Sequence, residues 1–309
     1  MSRTVFIDGA AGTTGLEIAE RLAGRGEFEL LTLEPGRRKD DGARRDAFHA
    51  ADFAILCLPD DAAREAVTLA AGSRVRIIDA SSAHRVAPDW AYGFPEVVGR
   101  ERIAEAERVS NPGCYPTGFI ALLAPLVRAG ALPGDWPYTV HAVSGYSGGG
   151  KALIARFEAD PAIAFRSYGL GLGHKHVAEM QAHCGLAHPP VFSPAVIPAH
   201  RGMLVEVPLP LAAMPNAATP AELRRTLASF YAGSPVVRVE SQPPEDGELL
   251  LRASASPDDG LTLRVFADAE GRQARLVAVL DNLGKGASGA AVQNLNLMLG
   301  VDARESLAA

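Results

Sequence analysis

Three glycines, Gly9, Gly12 and Gly15, stand between an apolar run, Thr4-Val5-Phe6-Ile7, and a helical stretch over residues 16–23. No other feature limits the fold as much. A buried strand that turns at once into a helix needs glycine where the backbone approaches itself, and it is the first part of a βα unit. Further units follow. Residues 28–33 and 53–58 read as strands, the latter ended by Pro59, and residues 74–79 as another. Ala66, Val67, Leu69 and Ala70 mark a helix that Asp60 or Asp61 would cap. Strands alternating with helices predict an α/β fold with a doubly wound parallel sheet. In such a sheet the first turn holds the pyrophosphate of a dinucleotide, because glycines let it come close and the helix N-terminus favours its charge. The candidate residues are Gly9, Gly12, Thr13, Thr14 and Gly15. Their spacing departs by one residue from the commonest fingerprint. Glu34 stands where an acid would hold the ribose hydroxyls of NAD, whereas Arg37, Arg38 and Lys39 suit a 2′-phosphate. The basic trio favours NADP(H) over NAD, against the simpler reading of a solvated loop.

Composition narrows the function. A chain of 309 residues, 48% of them apolar, suffices for one large domain or two ordinary ones. The net charge is −6 and no basic run exceeds Arg37-Arg38-Lys39, which argues against nucleic acid as a partner. No apolar run reaches membrane-spanning length, and Met1-Ser2-Arg3-Thr4 enters a strand without the apolar core of a signal peptide. Three widely spaced cysteines form no disulfide framework. The expectation is a protein of the reducing cytoplasm.

The pattern changes after about residue 109. Segments 138–143, 203–207, 236–239, 261–267 and 274–280 read as strands, several in succession, as in a mixed or antiparallel sheet. Residues 215–220 and 242–247 read as loops, 290–299 as a helix, and the extreme tail as frayed. At the transition lies Ser110-Asn111-Pro112-Gly113-Cys114-Tyr115-Pro116-Thr117-Gly118, followed by an apolar helix over 119–127. Pro and Gly fix a tight turn, and Pro116 suits the first turn of a helix, where its missing amide costs nothing. Cys114 therefore sits at or just before a helix start, where amides and the helix dipole stabilise a thiolate nucleophile. Cys57, in a strand, and Cys184 fit the commoner fate of a buried, inert thiol.

Gly173-His174-Lys175-His176-Val177-Ala178-Glu179 is the best source of a base. If a helix begins here, residues two apart point in different directions, so one histidine faces the site. No third zinc ligand is evident nearby. His200 beside Arg201 and Gly202 could bind an anionic substrate. Gly145-Tyr146-Ser147-Gly148-Gly149-Gly150-Lys151-Ala152 nearly spells a phosphate-binding loop, but Ala152 replaces the hydroxyl that would hold magnesium. A flexible glycine loop closing over a cofactor is the better reading.

Taken together, these segments resemble the N-acetyl-gamma-glutamyl-phosphate reductase family in its shorter-chain, type 2 form. The resemblance rests on Phe6-Ile7-Asp8-Gly9, Leu56-Cys57-Leu58-Pro59-Asp60-Asp61-Ala62, Asp79-Ala80-Ser81-Ser82 and Tyr92-Gly93-Phe94-Pro95-Glu96. It continues through Asn111-Pro112-Gly113-Cys114-Tyr115-Pro116-Thr117, Val143-Ser144-Gly145-Tyr146-Ser147-Gly148, His174-Lys175-His176 and Asp281-Asn282-Leu283-Gly284-Lys285-Gly286-Ala287. It implies NADPH-dependent reduction of N-acetyl-glutamyl 5-phosphate to the 5-semialdehyde in arginine biosynthesis. Cys114 would be the nucleophile and His176 the acid/base, with Tyr168 and His174 near the substrate. Arg201 matches the substrate segment only loosely. Ser144, Gly145, Gly148 and Asn282 would lie against the cofactor. The implied organisation is an NADP-binding domain, 1–113, completed by a C-terminal helix, 287–309, and a catalytic and oligomerisation domain, 114–286, with no metal. The assembly would be a homo-oligomer, dimer or tetramer. A related acyl-phosphate reductase such as aspartate-semialdehyde dehydrogenase, a non-catalytic NADP-binding sensor and a P-loop NTPase are the alternatives.

Overall fold

The computed structural model describes residues 2–244 and 246–302. Residues up to 113 together with those from 287 form one compact unit, and residues 114–286 form another. The first unit contains β1 (Arg3–Asp8), α1 (Thr13–Leu22), β2 (Phe28–Leu31), α2 (Asp41–Ala50), β3 (Phe53–Leu56), α3 (Asp60–Leu69) and β4 (Arg76–Asp79). It continues through β5 (Ala91–Tyr92), α4 (Pro95–Val98), α5 (Arg100–Ala104) and β6 (Arg108–Ser110). The second unit runs α6 (Cys114–Arg128), β7 (Thr139–Gly145), α7 (Gly150–Ala159), β8 (Arg166–Ser167), α8 (His176–Cys184), β9 (Val191–Ile197) and β10 (Met203–Leu209). It ends with α9 (Pro220–Phe230), β11 (Val237–Val239), β12 (Leu261–Ala267) and β13 (Ala274–Leu280), after which α10 (Gly289–Leu299) joins the first unit.

Strands of the first unit are all parallel, in the order β2-β1-β3-β4-β6-β5. Alternate residues of β1 feed opposite cores. Val5 and Ile7 pack with Ile18 and Leu22 of α1 and with Val292 and Leu295 of α10. Phe6 packs on the other face with Phe48 of α2 and Ala63 and Ala66 of α3. This is the doubly wound sheet expected, and its order reverses between β1 and β3, where such sheets bind ligands. The second unit is a mixed sheet, β11-β12-β13-β10-β7-β9-β8. Against it lies α6, apolar and buried nearly all round, as befits a central helix. Gly118 brings that helix close: a Cβ there would meet Val205 Cγ2 at 2.7 Å. Pro125 inside α6 cannot donate to the Ala121 carbonyl, and the Tyr231 hydroxyl donates to it instead at 2.9 Å.

Several elements differ from expectation. Helix α1 begins at Thr13 rather than residue 16, since the Leu16 amide already bonds the Gly12 carbonyl. Neither Asp60 nor Asp61 caps α3. Pro59 precedes it, Asp60 accepts from the Ser82 amide and hydroxyl, and Asp61 pairs with Arg64. Nothing in the apolar pattern announces α2, whose buried face consists of Ala43, Arg44, Ala47 and Phe48. Helix α6 starts at Cys114, five residues before the expected apolar stretch. Pro220 is no loop residue but the first of α9, behind a Thr219–Glu222 capping box. Of the helix expected over 287–309, α10 ends at Leu299, and residues 303–309, with the tail expected to fray, lie outside the described residues. No helix among the described residues is long and apolar enough to cross a membrane.

Candidate active site

Cys114 is the first residue of α6 and half-buried. Against it lies the segment that follows β13. A Cβ on Gly286 would stand 2.9 Å from the Cys114 Cβ and 3.0 Å from the Asp281 carbonyl oxygen, so only glycine leaves that approach open. Asp281 organises the segment. Its carboxylate accepts from the Leu283 amide at 2.9 Å and from Arg201 Nη1 at 2.7 Å. The other two cysteines are chemically quiet. Burial of the Cys57 sulfur, then the charges of Asp79 and Asp8, push its thiol up to about 12, and burial pushes Cys184 higher still.

The histidines come together rather than apart. Helix α8 begins at His176, and His174 occupies the turn before it. The His176 amide donates to His174 Nδ1 at 3.2 Å, so a neutral His174 carries its proton on Nε2. Bonded in this way, the two rings lie 4.6 Å apart. Both reach Tyr115, the residue after the thiol, with ring centroids at 6.3 Å for His174 and 5.9 Å for His176. The expectation that one histidine alone faces the site is thus corrected. Tyr168 joins them: its hydroxyl donates to that of Tyr115 at 3.3 Å, and its ring meets His174 at 5.6 Å. Burial raises both phenols above the ordinary tyrosine value. Tyr115 itself carried no signal of its own in the sequence beyond its place in the Pro-Gly-Cys run.

In the first unit the glycine turn packs against backbone too closely for side chains. Gly9 has φ +89°, and a Cβ there would fall 2.3 Å from the Cys57 carbonyl oxygen. At Gly15 a Cβ would fall 2.6 Å from the Gly9 carbonyl oxygen. No side chain caps α1, and Thr13 Oγ1 is buried with no hydrogen-bond partner. An uncapped helix start with an orphaned hydroxyl fits an anionic group. Below the turn, Asp8 is gripped by Arg44 through Nε and Nη2 at 3.1 and 3.0 Å, an ion pair the sequence reading missed because it lies on α2. Glu34, Arg37 and Arg38 are exposed after β2, with Arg38 Nε donating to the Leu33 carbonyl at 3.0 Å.

The near P-loop is not one. The Gly145, Tyr146 and Ser147 amides donate to the carbonyls of Gly202, Ala199 and His200, so they are not turned toward a phosphate. Residues expected to flex instead continue into α7. Ser144 Oγ donates to the Gly145 carbonyl at 3.0 Å. Asn282 spends both ends of its amide, accepting from the Gly202 amide at 2.9 Å and donating to Ser147 Oγ at 2.8 Å. A Cβ on Gly148 would come within 3.3 Å of Asn282 Nδ2. Arg201, paired with Asp281, belongs to the same network. Among the described residues, no three His, Cys, Asp or Glu side chains gather as a metal site would need.

Comparison with known proteins agrees on the family. A family profile described as "Semialdehyde dehydrogenase, NAD binding domain" matches residues 4–106, and one described as "Semialdehyde dehydrogenase, dimerisation domain" matches residues 114–282. N-acetyl-gamma-glutamyl-phosphate reductase of Trichormus variabilis is 50% identical, over 96% of this chain and 97% of its own. The protein of that name from Rhizobium meliloti is 51% identical, over 97% and 99%. Among solved structures, aspartate semialdehyde dehydrogenase II from Vibrio cholerae superposes with a TM-score of 0.72 at 20% identity, covering 97% of this chain and 99% of that one. Aspartate semialdehyde dehydrogenase with NADP from Candida albicans does so with 0.64 at 14%, covering 97% and 99%. At such identities the structures show a shared fold.

Proposed function

This chain belongs to the N-acetyl-gamma-glutamyl-phosphate reductase family of semialdehyde dehydrogenases, and on that footing we propose that it reduces N-acetyl-L-glutamyl 5-phosphate to N-acetyl-L-glutamate 5-semialdehyde, releasing phosphate, in arginine biosynthesis. The observation that carries this reading is a half-buried thiol at a helix start, with two histidines and a tyrosine gathered on the ring of the next residue.

Acyl phosphates are strong electrophiles. The Cys114 thiolate attacks the acyl carbon, the carbon–oxygen bond to phosphate breaks, and a thioester remains. The positive end of the α6 dipole lies at the thiol's end of the helix and suits the developing oxyanion. NADPH, when bound, supplies the hydride that reduces the thioester carbon. His176, protonated, gives its proton to the oxyanion of the resulting Cys114 adduct and takes it back as the carbon–sulfur bond breaks, which frees the aldehyde and restores the thiolate. Tyr168, His174 and Arg201 are assigned to the substrate, Arg201 as a charge fixed in place by Asp281.

Gly9, Gly12, Thr13, Thr14 and Gly15 would hold the pyrophosphate, and Arg37 and Arg38 the 2′-phosphate of NADP(H). Ser144, Gly145, Gly148 and Asn282 contribute a preformed loop to the cofactor side, since their polar groups are already engaged. We assign the protein to the cytoplasm as a homo-oligomer, dimer or tetramer, assembled through the second unit, without nucleic acid or membrane as partner.

The reverse assay tests this. With NADP and phosphate, N-acetylglutamate 5-semialdehyde is expected to be oxidised far faster than aspartate semialdehyde. The opposite preference would replace the proposed substrate with the other.

A further inference from the structure

Cys114 and Tyr115 are consecutive in the first turn of α6, so about 100° of helix rotation separates their side chains and they leave the helix in different directions. While the thiol is half-buried, the tyrosine is 3% exposed and sits among the other groups of the site. Its ring lies 5.1 Å from Phe192 of β9, 5.9 Å from His176 at the start of α8 and 6.3 Å from His174 in the turn before it. All three separations fall within the range of edge and tilted ring packing. At its far end, the hydroxyl donates to the Ala195 carbonyl of β9 at 3.1 Å and accepts from Tyr168 at 3.3 Å. One side chain therefore touches every group assigned to proton transfer or substrate contact on α8 and on the segment leading into it, and it is covalently next to the nucleophile. A tyrosine that merely fills space needs neither the hydroxyl relay nor two imidazoles on its ring.

We propose that Tyr115 is the positioning residue of this site: its ring sets where the two imidazoles stand relative to the thiol, and its hydroxyl holds Tyr168 in register for the substrate. The inference rests on the reading of Cys114 as nucleophile and His176 as acid/base. Because burial keeps the phenol neutral, the hydroxyl serves as a fixed donor and acceptor and takes no part in proton transfer itself.

Ring and hydroxyl make separable contributions. Tyr115→Phe removes the hydroxyl alone. The Michaelis constant for the semialdehyde is expected to rise about three- to tenfold, the scale of one lost hydrogen bond, with turnover changed less than about twofold and Cys114 alkylated at the wild-type rate. Tyr168→Phe is expected to raise it as well, and the double variant to fall short of the product of the two effects, because the two single changes share the Tyr168–Tyr115 contact. Tyr115→Leu removes the ring and is expected to lower turnover about a hundredfold, at the lower end of what acid–base help contributes. Most of that loss should return in Tyr115→Phe. Additive effects of the two phenylalanine changes, or wild-type Michaelis constants in Tyr115→Phe, would overturn the proposal even if Tyr115→Leu fails to fold. Undiminished turnover in Cys114→Ala would instead overturn the nucleophile on which it rests.

Discussion

Two helices of this protein begin at turns to which the proposed function assigns a role, and they are built in opposite ways. At the start of α1 the chain removes side chains: glycines at 9, 12 and 15, no capping residue, and a buried threonine hydroxyl with no partner. The start of α6 is crowded instead, with Tyr115, His174, His176, Tyr168 and Phe192 touching one another around the residue after the thiol. Under the proposed function, the empty turn takes a partner that brings its own charge and hydrogen bonds. A crowded one holds reacting groups in place before the substrate arrives, since a misplaced acid or base forfeits most of its effect. The physics of a helix N-terminus is common to both; what surrounds it decides whether it binds or reacts.

That contrast breaks most sharply at Cys114. Replacing it with alanine is expected to lower phosphate-dependent oxidation of the semialdehyde by about 10⁴-fold or more, while dinucleotide titration by fluorescence stays as in the wild type. Turnover surviving in that variant would deny the crowded site its chemistry. His176→Asn is expected to cost about 10²–10⁴-fold in turnover with alkylation of Cys114 largely intact; if His174→Asn does the damage, the two histidines exchange roles. On the other side, Gly9→Ala places a Cβ against the Cys57 carbonyl at positive φ, a strain of about 1–3 kcal/mol. NADPH binding should weaken about tenfold or more by calorimetry, with Cys114 still labelled at the normal rate. The smallest signal is expected from Cys57. Its thiol, pushed up to about 12, is ionised at only about one part in ten thousand at pH 8. Iodoacetamide at that pH should leave it unmodified on peptide mapping while Cys114 reacts, and ready labelling of Cys57 would make the glycine turn a reactive region as well.

Much of this was legible in the sequence, for identifiable reasons. Glycines in the first turn and the Pro-Gly-Cys run announce themselves because each must solve a local backbone problem. Strands β12 and β13 follow from an alternating apolar pattern in the first and a nearly continuous apolar run in the second, and they cover the residues expected, 261–267 and 274–280. Helix α2 stayed hidden because its buried face includes Arg44, a charge that ion pairs with Asp8 and Glu65 make tolerable there. Strand β9 stayed hidden behind Pro194, which the fold accommodates where the short neighbour β8 pairs only with Ala195 and Val196. The convergence of both histidines on Tyr115 depends on α6, α8 and β9 meeting in space. No spacing along the chain records that.

Helix α10 has a consequence in time. It supplies Ala291, Val292, Leu295, Leu297 and Met298 to the same core as Val5, Ile7, Ile18 and Leu22, yet some 180 residues of chain are made after β6 before it exists. At ordinary synthesis rates that delay is on the order of ten to forty seconds. Throughout it one face of the nucleotide-binding sheet lacks α10 beside α1, while the second unit is synthesised and has all its elements before α10 emerges. The half of the protein translated first is therefore the half completed last, and its unfinished face is where a chaperone would be expected to bind the nascent chain.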